Sequence, residues 1–516
     1  MTSLRAVASR RCSPFKRPAC SSVSHKYSTV STARAFWAAC DFESTPYCII
    51  HTMNAAQSID RELADLLDLG DRVLRLVAEK GGRGFVVECI LRSGSELSAR
   101  VRKGEPELVE EAGTRSAGLR VIAGKRVATT STSDLTDAGV GRFVADAIEL
   151  ASLSQEDPFA GPADPKLLCD PGSAPNLDLY DPEGGGVDAG RALAIAGEAE
   201  AAALAFDRRI TNSEGATFGR SSGGVALVLS SGFRAAYPGS YQSLGVAPLA
   251  ADDGGKNRRG YHWTGHRHFR SLEAAADVGR EAARRTIGKL GARTVASCEV
   301  PVVFDPEASR SILGMLAGCV MGSSIWRKAS YLVGREGTQV ASSLVTVVDD
   351  PLVRRGPGSR AFDGEGLASR KNVVVEGGVL QMYLCDSYSG RKLGRASTAS
   401  AARGGGASVG ASTSNFILQP GSDSNEAIVR GTRRGLYVTE MMGFGFNAVT
   451  GDFSRGASGF WIEDGALAFP VSEVTISLNV DLLWKSIDAV GNDLDMRTAT
   501  ACPTIRVAKM TVGGGG

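Results

Sequence analysis

Residues 460–478 read FWIEDGALAFPVSEVTISL, and this stretch decides how the C-terminal part of the chain folds. Two runs rich in aromatic and β-branched residues flank Asp464 and Gly465, a pair that favours the tight turn of a β-hairpin. Farther upstream, residues 372–386 (NVVVEGGVLQMYLCD) carry a second hairpin pattern around two glycines. The sequence therefore predicts that residues 298–516 form a β-rich, barrel-like domain.

The segments upstream of this domain mix helical and strand patterns. Residues 53–155 open with apolar residues at helical spacing and continue as five short strand-like segments, which predict an antiparallel meander closed by a helix near 134–153. The proline-rich stretch DPFAGPADP marks a boundary. Residues 165–295 then combine an alanine-rich helix (188–206), a hairpin and another helix. The predicted fold class is α+β.

The first 52 residues have a different composition. Residues 1–40 contain seven Lys or Arg, many Ser or Thr, and neither Asp nor Glu. This composition is typical of a transit peptide, which would direct the chain to a mitochondrion or plastid. Alternatively, translation starts at Met53 and the chain is cytoplasmic. In both cases we exclude residues 1–52 from the predicted fold.

The overall composition argues against several classes of partner. The 58 Lys and Arg nearly balance the 56 Asp and Glu, for a net charge of +2, so no general field favours nucleic acid or a membrane surface. No apolar run reaches the ~18 residues that a membrane span requires. The ten cysteines contain no CxxC pair, and we expect reduced thiols in a reducing compartment.

Residues 312–324 (ILGMLAGCVMGSS) form an apolar run in which Gly314, Gly318 and Gly322 recur every four residues. At eleven residues before Ser323 the run is too short to cross a membrane. On a helix the three glycines share one face, where another backbone can approach closely. We therefore expect this helix to pack into the core through its glycine face.

The segment YHWTGHRH places His262, His266 and His268 close together. Two histidines four residues apart would share one face of a helix, as a metal site requires. However, the residues between them are poor helix formers, and several nearby arginines would repel a cation. The better interpretation is a basic, aromatic surface strand or loop, with a metal site as the alternative.

Two further patterns could carry chemistry. Residues 219–223 (GRSSG) and 406–410 (GASVG) match the GxSxG pattern, which indicates a nucleophilic serine only at a strand-to-helix turn. The first match continues as a strand, and the second lies in the low-complexity stretch 402–414, which we expect to be a mobile loop. Paired carboxylates next to Pro or Gly are expected to cap turns: Asp349 with Asp350, and Asp363 with Glu365.

Six segments together resemble the TldD/PmbA family: ITNSEGA (210–216), FDGEG (362–366), SYSGRKLG (387–394), 438–465, FPVSEVTI (469–476) and VGNDLD (490–495). The resemblance extends from about Met53 to the C-terminus. The family has two branches. TldD is a zinc metallopeptidase with an HExxxH helix and a cysteine ligand near its C-terminus. TldE, also called PmbA, lacks the histidines and acts as the heterodimer partner of TldD.

The resemblance places HExxxH over residues 313–318, where Leu313 and Gly318 occupy the histidine positions and Gly314 the glutamate position. Cys502 lies near the cysteine ligand. The resemblance therefore implies a TldE/PmbA-like subunit with no catalytic or zinc-binding residue of its own, whose TldD-like partner carries the zinc and degrades unfolded or modified peptides. Two alternatives remain open: a metallopeptidase that binds zinc through the three histidines and Cys502, and a homodimeric peptide-binding protein.

Overall fold

The computed structural model describes residues 46–81, 84–404 and 406–515 of the chain. The helices of the described part are α1 (Pro46–Gly81), α2 (Asp137–Leu153), α3 (Pro182–Gly185), α4 (Ala189–Ala205), α5 (Ala275–Ile287), α6 (Pro306–Cys319), α7 (Gly322–Trp326), α8 (Ser387–Lys392), α9 (Asn425–Arg430) and α10 (Val480–Lys485). Together with the strands below they give a mixed α+β fold, as predicted.

The strands fall into two groups along the chain. Before α6 lie β1 (Phe85–Arg102), β2 (Glu105–Ala123), β3 (Arg126–Thr132), β4 (Ile210–Leu229), β5 (Arg234–Ala251), β6 (Asn257–Arg259), β7 (His262–His266) and β8 (Cys298–Phe304). After α6 lie β9 (Val347–Asp349), β10 (Asn372–Glu376), β11 (Val379–Leu380), β12 (Ala401–Arg403), β13 (Val409–Ala411), β14 (Phe416–Leu418), β15 (Arg434–Met442), β16 (Asp452–Glu463), β17 (Ala466–Asn479), β18 (Ile487–Val490), β19 (Thr500–Ala501) and β20 (Ile505–Gly513).

The first helix starts earlier than the sequence predicts. Helix α1 begins at Pro46, so residues 46–52, which the prediction assigned to the leader, are helical. Residues 1–45 lie outside the described part, and the leader prediction falls on them. Helices α2 and α4 lie where they were predicted. The Thr136 hydroxyl caps α2 by accepting from Gly139 N, and the Asp188 carboxylate caps α4 by accepting from Arg191 N.

One antiparallel sheet of seven strands joins the regions predicted as 53–155 and 165–295. Its order is β3-β2-β1-β4-β5-β6, with β7 also paired to β5. The five short segments predicted for the meander are three long strands. Ser93 and Gly94, which separate the first two predicted segments, lie inside β1 and pair with Gly224 and Gly223 of β4. The strands approach closely there, because an added Cβ at Gly223 would lie 2.1 Å from the carbonyl oxygen of Ser93.

The C-terminal region contains a closed five-stranded barrel, so the barrel-like prediction is confirmed. Its strands are ordered β17-β16-β15-β8-β20, and pairing between β17 and β20 closes it. A second sheet has the order β11-β10-β9-β14-β19. A continuous apolar core fills this region and includes Phe304, Phe416 and Trp484, all fully buried. Helix α6 follows β8 and packs on this core through Leu313 and Leu316.

The low-complexity stretch 402–414 is not the loose loop that was predicted. Strands β12 and β13 pair to form a ribbon, and a fully buried Arg403 side chain anchors it. Arg403 binds the Glu88 carboxylate, which also accepts from Arg120 Nη1 at 2.9 Å. Burial alone would raise the pKa of Glu88, but the two guanidinium groups hold it below its usual value. Charge pairing over a long sequence separation thus orders the described part of this stretch.

Candidate functional site

Helix α6 covers residues 313–318, over which the resemblance aligns HExxxH. It starts after Asp305, whose carboxylate accepts from Ala308 N at 2.7 Å, and Pro306 takes the first helical position. The backbone N–H of Asp305 donates to the Val438 carbonyl in the neighbouring strand β15, at 3.0 Å. Burial raises the pKa of Asp305 to about 7. The start of α6 is therefore fixed to the barrel.

The glycines of residues 312–324 do not share one packed face. Helix α6 ends at Cys319, and Gly322 belongs to α7, where an added Cβ would lie 2.7 Å from Cys385 Sγ. At Gly314 and Gly318 an added Cβ would meet nothing within 4 Å. The expectation of core packing is thus right for Gly322 alone. It is wrong for the other two, because they lie on the side of α6 that faces away from the core.

The residues at the expected zinc positions do not fit a zinc ion. Leu313 is fully buried among apolar side chains, and neither an alkyl group nor a glycine donates to a metal. Cys502 is 1% exposed, and burial raises the pKa of its thiol to about 12, so the thiol stays protonated. In the part of the chain that the structure describes, no group of three or more His, Cys, Asp or Glu side chains could hold a metal ion.

The three histidines do not converge on one point: His262 lies apart, whereas the rings of His266 and His268 are in edge contact, with centroids 6.1 Å apart. His262 is buried on β7, and its Nε2 lies 3.0 Å from Glu273 Oε2. His266 Nδ1 accepts from the backbone N–H of His268 at 2.9 Å, and burial lowers the pKa of His266. His268 Nε2 lies 3.2 Å from Asp178 Oδ1. The strand interpretation is confirmed, although His262 is not on the surface. Since β7 is extended, His262 and His266 lie about 13 Å apart along it.

The other sequence patterns have structural roles. Ser221 of the first GxSxG match lies inside strand β4, and residues 406–410 lead into β13, so neither match sits at a strand-to-helix turn. Two of the four carboxylates cap turns, as predicted. Asp363 accepts from the backbone N–H groups of Glu365 and Leu367, and also from that of Ala401, and Asp350 accepts from Leu352 N at 2.9 Å. The other two accept from distant backbone N–H groups instead: Asp349, in strand β9, from Ser414 N at 2.6 Å and Glu365 from Ser387 N at 2.9 Å.

Sequence reasoning missed a set of adjoining cavities around Tyr261. One, of about 470 Å³, lies between α5 and the barrel. Two others, of about 480 and 500 Å³, adjoin it and share Tyr261 in their walls. The Tyr261 hydroxyl donates to Glu307 Oε1 at 2.6 Å. The lining residues come from distant segments, so the only local sequence signal is the Asp305-Pro306 pair, which predicts a helix start at the cavity wall.

Comparison with known proteins identifies the class of protein. Models of the PmbA/TldA metallopeptidase match in three parts: domain 1 over residues 87–151, the central domain over 182–290 and the C-terminal domain over 297–514. The chain is thus built from the three domains of a metallopeptidase family. It is 34% identical over 433 residues to the metalloprotease PmbA of Escherichia coli O157:H7, spanning 84% of this chain and 93% of that one.

The chain belongs to the PmbA/TldD family, and its similarity supports the PmbA-like branch. A metalloprotease TldD homologue from Haemophilus influenzae is 26% identical over 291 residues, only 52% of this chain. Among solved structures, a candidate modulator of DNA gyrase from Bacteroides thetaiotaomicron superposes with a TM-score of 0.80 at 26% identity, covering 87% of this chain and 98% of that one. TldE from Thermococcus kodakarensis has the same fold, with a TM-score of 0.77 at 20% identity over 86% of this chain and all of that one.

No helix in the described ranges combines the length and the apolar character needed to cross a membrane.

Proposed function

We propose that this chain is the subunit without zinc in a peptidase complex, and that it pairs with a TldD-like chain that carries HExxxH. The observation that carries the proposal is the composition of α6, over which the resemblance aligns HExxxH. Leu313 and Gly318 stand at the two histidine positions of that alignment, and Gly314 stands at the glutamate position. Cys502 completes the argument, because a buried, protonated thiol without imidazoles does not hold zinc. Zinc and the water-activating glutamate are then the partner's contribution.

An exposed apolar loop beside α6 supports the idea that another subunit covers this side of the molecule. Phe444 is fully exposed, and Met442 and Val449 are about half exposed. The strands that flank the loop lie next to α6: Met442 of β15 lines one cavity together with Ser311 of α6, and Arg455 of β16 donates to Ser311 Oγ at 2.7 Å. The loop itself contacts the segment after α7, where Tyr331 N donates to the Ala448 carbonyl at 2.7 Å. Exposed apolar side chains grouped in this way are typical of protein interfaces.

The end of strand β15 offers a place for an extended peptide. Strand β8 pairs with β15 only as far as Val438, whereas β16 continues to pair with it as far as Met442. The last residues of β15 therefore have a neighbouring strand on one side, and their other side borders the cavities near Tyr261. An unfolded peptide can add to such an edge through its backbone, which suits a subunit that handles unfolded or modified peptides.

The cysteines from residue 89 onward are free thiols: Cys89, Cys169, Cys298, Cys319, Cys385 and Cys502. Free thiols fit a reducing compartment, and we place the complex in the cytoplasm.

Co-purification tests the partnership. A tagged chain is expressed together with the HExxxH family member of the same genome, and a stable complex of the two is expected. Phe444→Asp should weaken the complex at least tenfold because it puts a charge into the apolar surface. Leu153→Asp is the matched control, since Leu153 is 75% exposed but lies on α2. Recovery of the chain alone, or as a homodimer, in the presence of the HExxxH protein would contradict the proposal.

A further inference from the structure

The cavity of about 470 Å³ between α5 and the barrel has the composition of a ligand site. We propose that it binds an apolar residue that ends in a free α-carboxylate. Two sources share this chemistry: the C-terminal residue of a peptide, and a free N-acylated amino acid. The inference that the ligand is a peptide rests on the proposed function. The inference that it carries a carboxylate rests only on the side chains of the cavity.

One wall of the cavity is apolar. Ile287 from α5, Phe460 from β16 and Leu467 from β17 contribute side chains to it, and the backbone of Gly288 completes it. Leu467 is 46% exposed, so the wall reaches the surface and a ligand can enter from solvent. The volume lies within the range of small-molecule sites and is large enough for a Leu, Met or Phe side chain.

Two adjacent arginines provide the anion-binding end. Arg284 donates from Nε and Nη2 to the Glu281 carboxylate, both at 2.7 Å. Arg285 donates from Nε to the same carboxylate at 2.8 Å. The nearest carboxylate to Arg285 Nη1, on Glu307, is 3.9 Å away. Each guanidinium has five N–H donors. Within the described residues, Arg284 Nη1 and Arg285 Nη2 therefore keep donors without a protein acceptor. The side chains are 67% and 32% exposed, so these donors are open to a ligand from solvent, and a carboxylate is the ligand that they fit best.

The acidic groups of the cavity do not oppose an anion. Lys289 Nζ binds the Glu440 carboxylate at 2.6 Å, and Tyr261 donates to Glu307. Asp305 holds its proton more strongly than an ordinary aspartate, because burial raises its pKa to about 7. With Arg284, Arg285 and Lys289 in the lining, an amine would meet like charges, whereas a carboxylate meets unused donors.

Binding to the purified lone chain tests this site. The probe is a fluorescein-labelled pentapeptide that ends in leucine, compared as the free acid and as the C-terminal amide. The free acid should bind at least tenfold more tightly, because the amide loses the charge that the arginines recognise. Arg284→Gln with Arg285→Gln, and separately Leu467→Asp, should each weaken binding of the free acid at least tenfold.

The matched control is Arg280→Gln. Arg280 lies on the same helix and pairs with Asp277, outside the cavity, so its replacement should leave binding unchanged. Competition by N-acetylleucine would show that the terminal residue suffices, whereas its failure to compete would show that the site also reads the preceding peptide. Equal affinity for the free acid and the amide would overturn the proposal. So would wild-type affinity for the free acid in both the double arginine variant and Leu467→Asp.

A folding defect is detected separately, by thermal unfolding of each variant. Leu467→Asp changes a half-exposed side chain, so this variant should stay folded. It therefore tests the site even if the double arginine variant unfolds. The assay contains no second subunit and no peptidase. A negative result here therefore leaves the partnership intact, and a failed co-purification leaves this site intact.

Discussion

At the scale of single residues, the unusual chemistry of this chain lies in buried carboxyl groups. Glu365 is 2% exposed, and its Oε2 accepts from Ser387 N at 2.9 Å at the start of α8. Burial, helped by the neighbouring Asp363 carboxylate, raises the pKa of Glu365 to about 7. Because the folded state holds this proton more tightly than the unfolded state does, the contribution of Glu365 to stability falls as pH rises from about 4.5 to about 7.

Glu365→Gln should remove this pH dependence. The amide cannot ionise, and its oxygen can still accept from Ser387 N. Thermal unfolding gives the melting temperatures of the variant and of the wild type between pH 5 and pH 8. The difference, variant minus wild type, should increase as pH rises. The exposed Glu463→Gln is the control and should follow wild type. If Glu365→Gln and wild type have the same pH dependence, the account of this buried carboxyl is wrong.

Local sequence was a good guide to single capping residues and a poor guide to sites built from distant segments. The positions of Asp363 and Asp350 beside Gly and Pro correctly predicted turn caps, because such caps depend on only a few neighbouring residues. The cavity near Tyr261 was not predicted, since α5, β15 and the hairpin of β16 and β17 meet only in the folded chain. The separation of His262 from His266 followed from the extended form of β7, which spacing alone did not establish.

At the scale of elements, helix α6 determines the functional interpretation. Its glycines are of two kinds: Gly314 is exposed with no neighbour within 4 Å of an added Cβ, while Gly322 at the start of α7 is tightly packed. Helix content and order were predictable for α2, α4 and α6, because periodic apolar residues and an Asp or Thr cap mark them. The lengths of the strands could not be predicted in the same way. Glycines and serines were interpreted as turns, although strands β1 and β4 pack closely at these residues.

Alanine substitutions separate the two kinds of glycine. Gly314→Ala should stabilise the lone chain by about 1 kcal/mol, since alanine favours a helix interior and the added methyl group meets open space. Gly322→Ala should destabilise it by about 1–3 kcal/mol, because the methyl group would overlap Cys385 Sγ. Urea unfolding of both variants measures the difference. Loss of stability in both would mean that the Gly314 face is packed after all.

At the scale of the whole molecule, the family fold surrounds a helix that has leucine and glycine at the positions that the resemblance assigns to HExxxH. The three family domains match residues 87–151, 182–290 and 297–514, which make up most of the described chain. Leu313 and the protonated Cys502 pack as core residues at positions that the resemblance assigns to zinc ligands. Under the proposed function, the fold serves positioning and binding in this chain, and the chemistry belongs to a second subunit.

The most direct test of this account is peptidase activity of the lone chain and of its complex with an HExxxH family member, each measured on an unfolded peptide with and without a chelator. The account predicts no activity above background for the lone chain. It predicts activity for the complex that a chelator abolishes and zinc restores. Chelator-sensitive hydrolysis by the lone chain would contradict it.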